Sequence, residues 1–225
     1  MSRVGGAGSP PLLEVGMVVS SLAPDPRRPG YLIVEVDQAR YATLPLEVVG
    51  KLGLSAGAVL SEDQAAGLKR AAESESAYLV ASRFVAMRPH SVHELLGKLR
   101  ERGHHPRAVA EVVGRLQAAG LLDDAVYARH FVRVRAPRGH GPGRLLHDLL
   151  ARGVDRLVAE RAIAEVLQAE GLEAGSQAKA LAERRLAQLA EVPPRQRRRR
   201  VLAYLARRGF RGREVQEMVS GLLGS

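Results

Sequence analysis

Leu145–Gln168 reads LLHDLLARGVDRLVAERAIAEVLQ, and the chain writes this module three times, each copy hinged on the dipeptide Arg-Gly. The other copies are Leu95–Gly120 (LLGKLRERGHHPRAVAEVVGRLQAAG) and Val201–Leu223 (VLAYLARRGFRGREVQEMVSGLL). Their glycines, Gly103, Gly153 and Gly209, fall 50 and 56 residues apart. Four residues before each stands a leucine (Leu99, Leu149, Leu205), and seven before it another (Leu96, Leu146, Leu202). Ten residues after it stand Val113, Ile163 and Val219, and thirteen after it Leu116, Val166 and Leu222. A period near fifty with this internal spacing predicts a stacked helical array, in which each unit buries its apolar stripe against its neighbours. Such an array suits recognition along a surface better than chemistry in a closed pocket.

Charge follows the same division. Residues 1–80 hold 7 Lys+Arg against 9 Asp+Glu, whereas residues 81–225 hold 27 against 15. The repeats are therefore the basic part, and a basic body attracts polyanions through counterion release. GC-rich coding accounts for the choice of arginine over lysine but not for the confinement of excess charge. The chain has no cysteine, which excludes disulfides and cysteine-ligated zinc. No apolar run approaches the roughly 20 residues of a membrane span. These features predict a soluble, cytoplasmic protein that makes no use of membranes.

The fold class read from this pattern is mainly α: an elongated tandem array of three three-helix repeats, preceded by a small β-containing N-terminal subdomain. Residues 1–14 are expected to form a disordered tail, and 15–75 the β-containing part. The repeats are expected over 76–122, 123–170 and 171–225. In the first part, Met17–Val19, Tyr31–Val36 and Tyr41–Leu46 are the strand candidates. The turn-rich Ala23–Gly30 separates the first two, and Asp37–Arg40 the last two. Glu47–Leu52 reads as a short helix, and the Ser61…Gln64 capping box opens a helix over Glu62–Glu73. The array then predicts helices over Ser76–Met87, Ser91–Gly103 and Pro106–Ala119. Next come Asp123/Asp124–Arg135, Pro142–Arg152 and Asp155–Ala169. The last three are Gln177–Glu191, Pro193/Pro194–Arg208 and Arg211–Leu223. Ser91 and Glu94 form a second capping box. Bending is expected at the Gly-Pro loop before Pro142 and at Glu170–Ser176.

Two basic segments are candidates for anion contact. Arg195–Arg200 (RQRRRR) opens a helix, where arginines oppose the dipole and repel one another, so local stability does not explain them. Arg133–Arg144 (RVRAPRGHGPGR) has glycines at alternate positions with flanking arginines, which would offer backbone amides to a phosphate or serve as a mobile connector with a basic rim. Its spacing matches neither a Walker A loop nor a dinucleotide fingerprint. His90, His93, His104 and His105 lack convergent acidic or cysteine partners, so no metal site is expected. Asp123 and Asp124 stand where a helix begins and read as caps. No nucleophile–base–orienter set is present, and neither catalysis nor a cofactor is expected.

The order of these elements resembles the RecX family, bacterial regulators of the RecA recombinase. The resemblance is carried by Arg88–Leu99 (RPHSVHELLGKL), Gly120–Val132 (GLLDDAVYARHFV), Gly141–Leu150 (GPGRLLHDLL) and Leu205–Phe210 (LARRGF). The N-terminal part is similar too, with a strand ending in Asp37, then Ala39–Ala42 (ARYA) and Lys51–Gly57 (KLGLSAG). The loop of the second repeat is richer in Gly and Pro than the family pattern, and the first 14 residues have no counterpart. The resemblance implies a non-enzymatic modulator, usually an inhibitor, of RecA in DNA repair and SOS control. It would lie in the groove of the RecA–DNA filament and suppress ATP hydrolysis, coprotease activity and strand exchange. The implied partners are the RecA filament and single- and double-stranded DNA, and the protein itself is expected to be a monomer. The residues expected to make filament or DNA contact are Arg129, Arg133, Arg135, Arg138 and Arg144 with Arg198, Arg199, Arg200, Arg207 and Arg208. A general nucleic-acid-binding helical repeat without a dedicated protein partner is the alternative. A scaffold whose basic face only keeps it soluble is a third reading.

Overall fold

The computed structural model describes residue 13 and residues 16–224. The tail expected over residues 1–14 lies, Leu13 aside, outside the described residues. Three strands come first: β1 (Val19–Pro24), β2 (Tyr31–Val36) and β3 (Ala39–Pro45), paired antiparallel in that order. Then follow α1 (Leu46–Lys51), α2 (Glu62–Met87), α3 (Val92–Glu101), α4 (Pro106–Ala118) and α5 (Asp124–Arg135). After a 3₁₀ turn at Ala136–Arg138 come α6 (Pro142–Leu150), α7 (Arg156–Ala169), α8 (Ala174–Ala187), α9 (Pro194–Arg207) and α10 (Arg213–Gly224). No helix among the described residues is long and apolar enough to cross a membrane.

The described residues form two compact units, one running to residue 88 and including 95–122, and one of residues 89–94 with 123–224. In the first, the sheet buries Val19, Val34 and Leu44 against Val49, Leu60 and Leu68. The hairpin between β2 and β3 is tighter than the sequence predicts. Asp37 and Gln38 form its turn with φ of 48° and 64°, so pairing resumes at Ala39 rather than Tyr41. Two positive φ values match the right-handed twist of the flanking strands. β1 is also displaced from the Met17–Val19 run and extends through Pro24, while Val18 forms an isolated bridge with Val59.

α2 is one helix of 26 residues where the sequence predicts two, so position 75/76 falls inside it. The Ser61 box forms as expected, with the Ser61 hydroxyl accepting from Gln64 N and the Gln64 carboxamide accepting from Ser61 N. The polar Ser74-Glu75-Ser76 looks like a break, but Ser74 and Glu75 are buried. Glu75 accepts from Arg115 of α4 at 2.7 Å, and Arg28 of the β1–β2 turn stands 3.9 Å away. Arg28 in turn stacks on Tyr31, and Arg115 on Tyr78. A buried carboxylate between two arginines thus ties turn, α2 and α4 together, and its polarity belongs to the interior.

The repeat positions sort by helix geometry. The residues eight and four before each hinge glycine (Leu95 and Leu99, Leu145 and Leu149, Val201 and Leu205) are all fully buried. Those seven before it (Leu96, Leu146, Leu202) are half-buried, because a one-residue step turns the side chain about 100° off the i, i+4 face. Each helix closes with the same pair of bonds. Gly103 N donates to Arg100 O and His104 N to Leu99 O; the pairs at Gly153 and Gly209 repeat this on Leu150 and Leu149, and on Ala206 and Leu205. All three glycines have φ between 74° and 89°, as the left-handed residue of a Schellman motif requires. Two residues past the turn, Asp155 caps α7 by accepting from Leu157 N at 2.8 Å.

Candidate polyanion-binding groove

The second unit contains a joint made twice. The residue twelve positions before Gly153, Gly141, donates its backbone N–H to Arg208 O at 2.7 Å, and Gly143 N donates to Gly209 O at 3.2 Å. The residue twelve before Gly103 is Ser91, and its hydroxyl donates to Arg152 O at 2.8 Å. In both cases the N-terminus of the middle helix of one repeat sits on the Arg-Gly turn of the next. The backbones come very close. A Cβ on Gly153 would stand 2.5 Å from the Cβ of His93, and one on Gly209 would stand 2.1 Å from Arg144 N. The hinge glycine therefore serves twice, once for its positive φ and once because nothing larger than hydrogen fits.

This joint corrects the reading of the Gly139–Gly143 loop. The amides of Gly141 and Gly143 are spent on protein carbonyls and do not form a phosphate cradle. Nor is the loop a free hinge. Arg208 adds bonds from its guanidinium to Arg138 O at 3.1 Å and Gly139 O at 3.4 Å.

With the loop pinned, α6 and the end of α9 are held side by side. Arg138, His140, Arg144, Tyr204, Arg207 and Arg208 line one open cleft of about 490 Å³. A neighbouring cleft of about 540 Å³ shares Arg138, Tyr204 and Arg208 and adds Arg184, Arg185 and Gln188. A third, of about 480 Å³, shares Arg144 and Arg207 and adds His147 and Arg211. The three make one basic groove with an aromatic ring in its wall. Arg208 stacks over Tyr204 at 4.9 Å and Arg185 at 5.6 Å, which holds both guanidinium planes in place. Burial lowers the pKa of His140, and the nearby Arg135 lowers it further, so the imidazole is neutral at pH 7 and the groove's charge comes from its arginines. At Asp148, burial acts to raise the pKa, but hydrogen bonds from Arg144 and His147 outweigh it and the net direction is down.

The ten arginines singled out in the sequence divide by environment. Arg138, Arg144, Arg207 and Arg208 converge in the groove. Arg144 is the most neutralised of these, 2.9 Å from Asp148. Arg129 and Arg133 pair with Glu165 at 3.6 Å and Glu170 at 3.5 Å. Arg135 stacks on Phe131 at 4.4 Å. Arg198 lies 3.3 Å from the Ser220 hydroxyl, while Arg199 and Arg200 are exposed on α9. Arg197, in the same run, turns back to the carbonyls of Ala190 and Val192 and closes the α8–α9 loop. Sequence reasoning missed Arg184, Arg185, Tyr204 and His147, while His140 lies within the candidate segment Arg133–Arg144. Arg184 and Arg185 end α8, and adjacency to Arg138 is a tertiary fact that a search for charge runs does not reveal. Among the described residues no group of three or more His, Cys, Asp or Glu is placed to hold a metal.

Asp123 and Asp124 are caps, as their position predicts, but for two different helices. Asp123 accepts from Ala125 N and Val126 N of its own helix, and Asp124 accepts from Val92 N of α3 at 2.8 Å. At the Ser91 box, Glu94 N donates to the Ser91 hydroxyl, and the Glu94 carboxylate accepts from Tyr127 at 3.1 Å and faces Arg152 at 3.6 Å.

Comparison with known proteins places this geometry in a family. Models of the first, second and third three-helix domains of RecX match residues 77–116, 123–163 and 175–219. Regulatory protein RecX of Halorhodospira halophila is 40% identical over 146 residues, covering 64% of this chain and 87% of that protein. Regulatory protein RecX of Pseudomonas fluorescens is 34% identical over 137 residues, covering 61% and 85%. A crystal structure of a regulatory protein RecX superposes with a TM-score of 0.75 at 23% identity, over 91% of this chain and 99% of the other. The structure of RecX from Lactobacillus salivarius gives a TM-score of 0.59 at 20% identity, over 68% and 97%. The three matched domains contain the three Arg-Gly turns, and the chain belongs to the RecX family.

Proposed function

We propose that the chain is a non-enzymatic, cytoplasmic inhibitor of the RecA recombinase that lies in the groove of the RecA–DNA filament and bridges neighbouring subunits. Bridging would restrain the relative motion that couples ATP hydrolysis to filament growth, and occupying the groove would exclude a second duplex. Coprotease activity and strand exchange would fall together with the ATPase. Family membership supports RecA as the partner. The observation that carries the contact surface is the convergence of Arg138, Arg184, Arg207 and Arg208 on one groove beside Tyr204. Guanidinium groups at fixed spacing suit phosphates, which position a partner without reading its sequence. Arg199 and Arg200 extend the cationic surface along α9, and Arg129, Arg133 and Arg135 contribute where their acidic or aromatic neighbours release them.

The test is RecA's single-stranded-DNA-dependent ATPase with this chain titrated well below the RecA concentration. Strong suppression is expected, with an unrelated DNA-dependent ATPase unaffected. The side chains of Arg138, Arg184 and Arg207 are exposed and hold no structural bond among the described residues, so all three can be reversed to Glu without unfolding the chain. The triple variant should need at least tenfold more protein for half-inhibition. Inhibition that starts only when the chain coats the DNA would favour the general nucleic-acid binder, for which the same basic groove is sufficient.

A further inference from the structure

Two of the three Arg-Gly turns are occupied, and the first is open. A Cβ on Gly103 would meet nothing within 4 Å, whereas the same positions at Gly153 and Gly209 are in close contact. Among the described residues no donor reaches Arg102 O, the counterpart of the carbonyls that accept from Ser91 and Gly141. The turn is nevertheless arranged like its occupied counterpart. The Arg102 guanidinium lies over Phe84 at 4.8 Å, as that of Arg152 lies over Phe131 at 4.9 Å. Arg152 also faces Glu94, the third residue of the docked helix, at 3.6 Å, and Arg102 has no carboxylate partner among the described residues. Beside the turn, a cleft of about 480 Å³ opens between α2 and Arg107 and Glu111 of α4 with its cap His105.

We propose that the Arg102–Gly103 turn is a docking site for the N-terminus of a helix from another protein, one that begins Ser-x-x-Glu. The occupied turn in the same chain defines this ligand. A serine N-cap donates to the carbonyl before the glycine, the backbone enters the space a Cβ would fill, and a third-position carboxylate meets the stacked arginine. One contact of that joint has no equivalent here, because Asp124 holds Val92 N while its counterpart on α2 is the buried Ala77. A second copy of this chain is a poor occupant. The helix N-terminus left over is that of α9, where the N-cap is Pro193 rather than a residue twelve before the glycine. The position twelve before Gly209 is Arg197, already inside the helix and followed by Arg198, Arg199 and Arg200. That extra turn puts bulk where the joint needs a small cap, and positive charge where Arg102 needs a carboxylate.

The probe is an N-acetylated peptide of residues 89–101, titrated into the ¹⁵N-labelled full chain and followed by amide shifts. A short isolated helix is marginal in water, so binding on the order of millimolar is expected. The expected result is saturable shifts at Arg102, Gly103 and His104. They should weaken at least tenfold in the Arg102→Glu chain and return when the peptide carries the reciprocal Glu94→Arg change. Gly103→Ala should block them while leaving the circular dichroism spectrum unchanged. No saturable shift at 102–104 up to several millimolar, shifts confined to residues 152–154, or binding indifferent to the charge swap would overturn the proposal.

Discussion

The two units are fastened by different means. In the first, a turn and two helices meet on one buried carboxylate, Glu75, held between Arg115 and Arg28. In the second, successive repeats meet where a serine hydroxyl or glycine amides donate to turn carbonyls, and through the absence of side chains at Gly141, Gly143, Gly153 and Gly209. A fastening made of charge tolerates changes of shape and depends on its partners. A fastening made of close backbone approach depends first on shape and fails when a single carbon is added.

The sharpest way to break the comparison is Gly209→Ala. The positive φ costs about 1–2 kcal/mol, and forcing a Cβ against the main chain of Arg144 adds about 1–3 kcal/mol. Urea unfolding should show this as the largest loss of any glycine substitution in the chain. Gly153→Ala carries the same strain and meets the Cβ of His93, which its backbone fixes, at 2.5 Å rather than a main-chain nitrogen at 2.1 Å, so its loss should be somewhat smaller. Glu75→Gln tests the other unit. It keeps the shape but removes the charge that Arg115 and Arg28 share, at a cost of about 2 kcal/mol. A loss no greater than that of an exposed Glu→Gln change would show that the charge does not hold this unit together.

Gly103→Ala isolates strain from contact, because its φ of 79° matches the others while its Cβ finds open space. A loss of about 1 kcal/mol, and no more, is expected. If it equals Gly153→Ala, the close approach adds nothing to the backbone joint. The mildest effect should come from acid. Burial and the adjacent arginines, Arg102 and Arg135 respectively, lower the pKa of His104 and of His140. The unfolded chain then binds protons near pH 6.5 that the folded chain refuses. Stability from these two groups is complete above that pH and lost as the pH falls toward the folded values. Replacing both by Gln should flatten the slope of stability against pH between 6.5 and 5; an unchanged slope would assign it to other groups.

Features encoded over a few residues were legible in the sequence. The Arg-Gly turns, the Ser61 box and the cap at Asp123 follow from side chains acting within their own turn. What escaped reading depends on distant neighbours. Glu75 looks like a polar interruption until Arg115, forty residues away, is seen beside it. The glycines of the Gly139–Gly143 loop look like freedom, and they are instead the room into which another turn fits. The basic groove was half legible. Arg138, Arg207 and Arg208 stand out as charge, but Arg184 and Arg185 join them only because α8 ends beside the pinned loop.

A joint written in main-chain atoms also bears on how such a chain can change over time. It demands a missing side chain at a few places and is indifferent to the identity of most others. Surface residues around it are then free to be exchanged, including arginines such as Arg138, Arg184 and Arg207 that would meet a partner, without disturbing the order in which repeats stack. A lineage could retune its partner's grip by point mutation while inheriting the scaffold intact, provided the hinge glycines stay.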